Sequence, residues 1–137
     1  MPRGSVGTPR IPDDVQLPPD ESLTEAQRLL DAGMPFHAHE ILEGTWKIAS
    51  PDERDMWQGL AQLAVGLTHV LRGNTRGAVS LLSQGRRRIW AYHVDPPHRI
   101  DVAGLIDWAD LLTEQLESEV KTQPTVPKLR TGTEPGL

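Results

Sequence analysis

The sequence contains no cysteine. Disulfides, thiolate metal ligands and cysteine nucleophiles are therefore excluded, and the composition suits a reducing, cytoplasmic setting. It also lacks a long hydrophobic run. The longest uncharged stretch, Met56 to Leu71, is interrupted by Gln58, Gln62 and His69, too short and too polar for a membrane span. Positive charge is not in excess. The formal net charge of -5 argues against general binding to nucleic acid or an anionic membrane. The first sixteen residues hold no apolar core of a signal peptide. No segment alternates apolar and polar residues as a half-buried strand does. No glycine-rich phosphate loop, dinucleotide fingerprint or Ser-His-Asp order is present, so nucleotide cofactors have no support.

What is there is helix punctuation. The 137 residues suit one domain. Residues 1–20, with five prolines, read as a disordered tail. Residues 122–137, rich in Pro, Thr, Gly and Lys, read as a second one. Between them, residues 21–121 read as an all-α bundle of about five helices. Ser22-Leu23-Thr24-Glu25 has the form of a capping box, with the helix stopping at Gly33. Pro35 suits the first turn of the second helix, which ends near Ile48 or Ala49. Ser50-Pro51-Asp52-Glu53 opens the third, which runs to Arg72-Gly73. Asn74 caps a fourth, Thr75 to about Ala91. The Pro96-Pro97 pair then breaks the chain, and Asp101 caps a fifth that runs through Leu112.

Polar side chains concentrate on the second and third helices. His39 and Glu43 are four residues apart and share a helix face, close to Phe36 and Trp46. On the third helix, Trp57, Leu60, Leu63, Ala64, Leu67 and Leu71 spread around most of the circumference, as on a central helix. Yet Gln58, Gln62 and His69 fall within roughly 40° of one another at about 100° per residue. The expectation is that this stripe faces His39, Glu43 and Glu40, forming a buried polar cluster.

The string Phe36-His37-Ala38-His39-Glu40-Ile41-Leu42-Glu43 with Trp46-Lys47 resembles domain-of-unknown-function family 309, small all-helical proteins of bacteria and archaea with an F-x-x-H-E-x-x-E motif. Two further blocks carry the resemblance: Gln58-Gly59-Leu60-Ala61-Gln62-Leu63-Ala64, and His69 with Arg72-Gly73-Asn74 and Gly77-Ala78. It implies an all-helical fold and assigns no activity. His37 departs from the pattern and points away from His39.

Four readings of the cluster follow. As a structural network it would fix the register of two helices. As a metal site, His39, Glu43 and His69 would form a two-histidine, one-carboxylate set for zinc, iron or manganese, with Glu40 as general base. As a ligand pocket, the histidines, glutamines and Glu43 would recognise a small molecule, with Trp46 and Trp57 stacking or simply packing. The fourth reading is an interaction module or homodimer, since the third and fourth helices resemble one tetratricopeptide unit. Arg86-Arg87-Arg88 reads as a solvated basic face, and His93 and His98 as solvated loop histidines.

Overall fold

Pro19 opens the first helix. The computed structural model describes residues 16–118, 121 and 123–132. Helix α1 spans Pro19–Asp31, starting four residues earlier than the capping-box expectation. Pro19 presets the helical backbone angle and needs no amide partner, while Asp20 and Glu21 face the positive helix end. Ser22 therefore lies inside the helix, fully buried, and its Oγ has no hydrogen-bond partner among the described residues.

The remaining helices are α2 (Pro35–Ile48), α3 (Pro51–Leu71), α4 (Thr75–Trp90) and α5 (Val102–Glu117), with a short 3-10 turn at Pro97–Arg99. Asn74 and Asp101 cap as expected, each accepting from an amide three residues on, Gly77 and Gly104, at 3.0 Å. Ser50 occupies the position before α3 but makes no side-chain cap.

Helices α1 and α2 form one hairpin, α3 and α4 another. Both turns use the same device: Gly33 and Gly73 each adopt φ +77°, a left-handed conformation cheap only for glycine. The backbone bonds match too, Met34 N to Leu29 O and Asn74 N to His69 O. The two hairpins thus repeat one design forty residues apart, and extensive packing runs between neighbours in sequence, α1 to α2 through α4 to α5.

Helix α3 is central, as its apolar girth implies. Met56, Trp57, Leu60, Leu63, Ala64 and Leu67 are all buried. It meets α4 almost backbone to backbone. A Cβ on Gly85 would lie 2.7 Å from the Gly59 carbonyl oxygen, and one on Gly59 would lie 2.8 Å from Ile89.

The segment expected as a tail from residue 122 is partly built into the body. Residues 123–132 carry no helix, and Leu129 is buried in the core. Residues 1–15 of the expected N-terminal tail, and 133–137 of the C-terminal one, lie outside the described residues.

Candidate functional site

Part of each polar stripe, without His69 or Glu40, lines a cleft of about 130 Å³ between α2 and α3. His39, Glu43 and Trp46 line it from α2, and Gln58, Ala61, Gln62 and Val65 from α3. These positions follow from the helical repeat: 39, 43 and 46 form one row, as do 58, 61, 62 and 65.

The cluster is less enclosed than expected. The His39 side chain is 19% exposed but that of Glu43 is 47% exposed, so the site is an open cleft. Among the described residues, no hydrogen bond joins His39 or Glu43 to Gln58 or Gln62. The buried network expected to fix helix register is therefore not formed here. Gln62 instead turns toward α4: its Nε2 donates to Gln84 Oε1 at 3.1 Å, and its Oε1 accepts from Arg88 Nε at 3.0 Å. Arg88 also pairs with Asp55. The sequence pattern could not reveal this, because Gln62 lines the cleft and also lies within reach of α4, and its choice of partner is set by tertiary packing.

His39 donates from Nδ1 to the Phe36 carbonyl, 3.3 Å away, and its ring tilts against Phe36. That bond needs the proton on Nδ1, so in the neutral imidazole Nε2 is the acceptor. Nε2 stands 3.6 Å from Glu43 Oε1, beyond hydrogen-bond range. Two acceptors thus look into the same opening. Trp46 is partly buried beside them, with the Arg54 guanidinium 5.2 Å from its ring centroid.

His69 and Glu40 do not join the site. His69 Nδ1 accepts from the Asn74 side-chain amide at 3.1 Å, at the end of α3. It lies seven residues beyond Gln62, roughly 10 Å along the helix axis. The set His39, Glu43 and His69 is therefore not assembled, and among the described residues no three His, Asp or Glu side chains are grouped to hold a metal ion. Glu40, about 100° around α2 from His39, is absent from the cleft lining and has no place as its general base.

A second polar group sits where only solvated histidines were expected. His98 Nε2 lies 2.8 Å from Glu53 Oε1, and Trp57 Nε1 donates to the same oxygen at 3.2 Å. The His98 ring stands 5.9 Å from the Trp57 ring. Trp57 is fully buried, so it packs in the core and does not line the cleft. Nearby, Tyr92 donates its hydroxyl to the Asp52 carbonyl at 2.7 Å. Burial, with Asp55, Asp52 and Glu53 close by, raises the Tyr92 phenol above its ordinary range. The backbone supports this group at a cost: His98 and Arg99 have φ of 57° and 59°. Pro96-Pro97 was the available signal for a special turn. Its long-range partner Glu53 was not legible. His93 stacks on Trp90 with ring centroids 3.8 Å apart.

The arginine run is divided between neighbours. Arg86 pairs with Asp110 of α5 and Arg88 with Asp55 of α3, leaving Arg87 exposed. Among the described residues, no helix is long and apolar enough to cross a membrane.

Residues 23–81 match the model of a family described as Domain of unknown function (DUF309). The match covers most of α1, all of α2 and α3, and the start of α4, and so includes every residue lining the cleft. The chain is also similar to an uncharacterized protein of Bacillus subtilis (strain 168), YpuF, at 38% identity over 85 residues. That alignment takes in 61% of this chain and 49% of the relative, so the chain spans about half the relative's length. No solved structure matches it.

Proposed function

With the DUF309 match over residues 23–81 as premise, we propose that the α2–α3 cleft is a recognition site for a small ligand bearing a hydrogen-bond donor, an amine above all. One observation carries this reading: His39 Nε2 and Glu43 Oε1, both acceptors, stand 3.6 Å apart at the opening of the cleft. An ammonium group placed between them would donate to both and meet the Glu43 charge. Gln58 adds a further polar group from α3, while Ala61, Val65 and Trp46 supply apolar walls. The volume suits a group of about six heavy atoms, since a cavity of similar size holds benzene.

A structural network would spend these groups on one another. Here the α2 pair and Gln58 keep their capacity, which favours recognition. The lack of cysteine accords with a cytoplasmic setting for such a binder.

Titration of isotope-labelled protein with ethylammonium, benzylamine and acetate, followed by amide chemical shifts, tests the reading. An amine should give saturable shifts confined to residues 39–46 and 58–65, and acetate none. Shifts that are absent with both amines, or equal with acetate, would overturn it.

A further inference from the structure

Residues 125–131 are held the way a binding groove holds an extended peptide. Their main chain is bonded by three parts of the fold. The Gln27 side-chain amide of α1 grips two points: its Nε2 donates to the Pro127 carbonyl at 3.0 Å, and its Oε1 accepts from the Leu129 amide at 2.9 Å. Residues 99–101 pair with the segment as a short antiparallel bridge between Ile100 and Arg130. Asp101 N donates to Leu129 O at 2.8 Å, and Thr131 N to Arg99 O at 2.9 Å. Trp108 of α5 adds a fifth bond, its Nε1 donating to Thr125 O at 3.0 Å. All five read backbone, which is independent of side-chain identity.

Side chains supply the selectivity. Pro127 and Leu129 are buried, Leu129 to 3% exposure, while Val126 and Lys128 face out. Alternate residues are thus seated, as in strand addition to a sheet edge. Lys128 Nζ lies 3.7 Å from Asp31 and Arg130 4.0 Å from Asp20, so acidic residues at the two ends of α1 meet bases on the segment. Arg130 also donates to Thr24 Oγ1 at 2.8 Å. Such exposed pairs add little affinity, but they set direction and register.

The receiving edge is itself specially built. Two consecutive non-glycine residues, His98 and Arg99, take left-handed backbone conformations to present 99–101, and His98 is pinned there by Glu53. Non-glycine residues are disfavoured in that region, where Cβ crowds the carbonyl oxygen. Outliers of this kind concentrate where a ligand is clamped.

We propose that the groove formed by α1, residues 99–101 and Trp108 is an extended-peptide recognition surface, occupied in this chain by residues 125–131. The partner it fits is an extended segment of another protein with the pattern Pro-x-Leu and basic residues after the proline and the leucine. The chain's own segment is then a resident competitor, which lowers the apparent affinity for the partner by the fraction of time the groove is empty.

The test uses the full chain, a Leu129→Asp variant that weakens the resident segment, and a fluorescent synthetic peptide of residues 123–132. The peptide should bind Leu129→Asp at least about ten-fold more tightly than wild type, and adding Gln27→Ala should abolish binding. Equal or absent binding to a folded Leu129→Asp variant would overturn the proposal. Hydrogen exchange on the wild type decides independently of whether that variant folds. The Leu129 and Thr131 amides should exchange far faster than those of Leu60 to Leu67, because a docked segment opens without global unfolding. Equal protection would make the segment inseparable from the fold and overturn the proposal. A concentration-dependent dimer lost on Leu129→Asp would assign the groove to a second copy and overturn the partner.

Discussion

Ser22 shows how one buried hydroxyl can mislead a sequence reading and still be informative. In the sequence it stands at the head of a capping box. In the fold its Oγ is buried and has no partner among the described residues. A buried polar group without a partner is destabilising, and alanine is the better helix former. Ser22→Ala should therefore raise stability by about 0.5 to 1.5 kcal/mol, read as a higher urea midpoint with an unchanged slope. Glu43 is the opposite case. Had it been buried and paired, its removal would be costly. At 47% side-chain exposure, Glu43→Ala should move stability by no more than about 0.5 kcal/mol. It should nevertheless remove the amine-induced chemical shifts in the cleft. Loss of stability together with unchanged amine binding would reverse the assignment of this residue from ligand recognition to structure.

At the scale of helices, α3 and α4 are held at a distance set by glycine. Alanine at position 85 would gain roughly 1 kcal/mol in helix propensity. Its Cβ would stand 2.7 Å from the Gly59 carbonyl oxygen, and backbone cannot rotate aside. Overpacking should win, with Gly85→Ala destabilising by about 1 to 3 kcal/mol in thermal melts. The loop before α5 depends on a different contact. His98→Ala removes the Glu53 partner and should cost about 1 kcal/mol. Because Arg99 O accepts from Thr131, the same change should speed hydrogen exchange at the Thr131 amide while that of Leu63 is spared. Element boundaries were legible wherever the signal was local. Asn74, Asp101, Gly33, Gly73 and Pro35 each act on amides or angles within a few residues. Ser22 failed because a stronger local signal, Pro19 followed by two acids, lay just upstream.

Across the whole molecule, packing proceeds in chain order from α1 to α5, and residues 123–132 link the two ends by touching both Gln27 of α1 and Trp108 of α5. Tyr92 gives this assembly a pH limit. Its phenol is raised in the folded chain, chiefly by burial, so folding favours the protonated form. That contribution is complete below the unfolded phenol value of about 10 and is lost as pH rises through the higher folded value. Urea midpoints should accordingly fall above about pH 10 more steeply in wild type than in Tyr92→Phe. Helical class, five helices and their turns were determined by the sequence alone, since periodicity, caps and glycines operate over one or two turns of chain. So was the facing of the His39–Glu43 and Gln58–Gln62 rows, because successive helices in a short-turn hairpin array must pack as neighbours. Only the tertiary structure decided that Gln62 would be claimed by Gln84 and Arg88, that His69 would be spent on Asn74, and that Glu53 would hold His98. It alone seated Leu129 beside Gln27, a hundred residues away. Each of these is a choice among competing partners, settled by three-dimensional distance, which no spacing along the chain encodes.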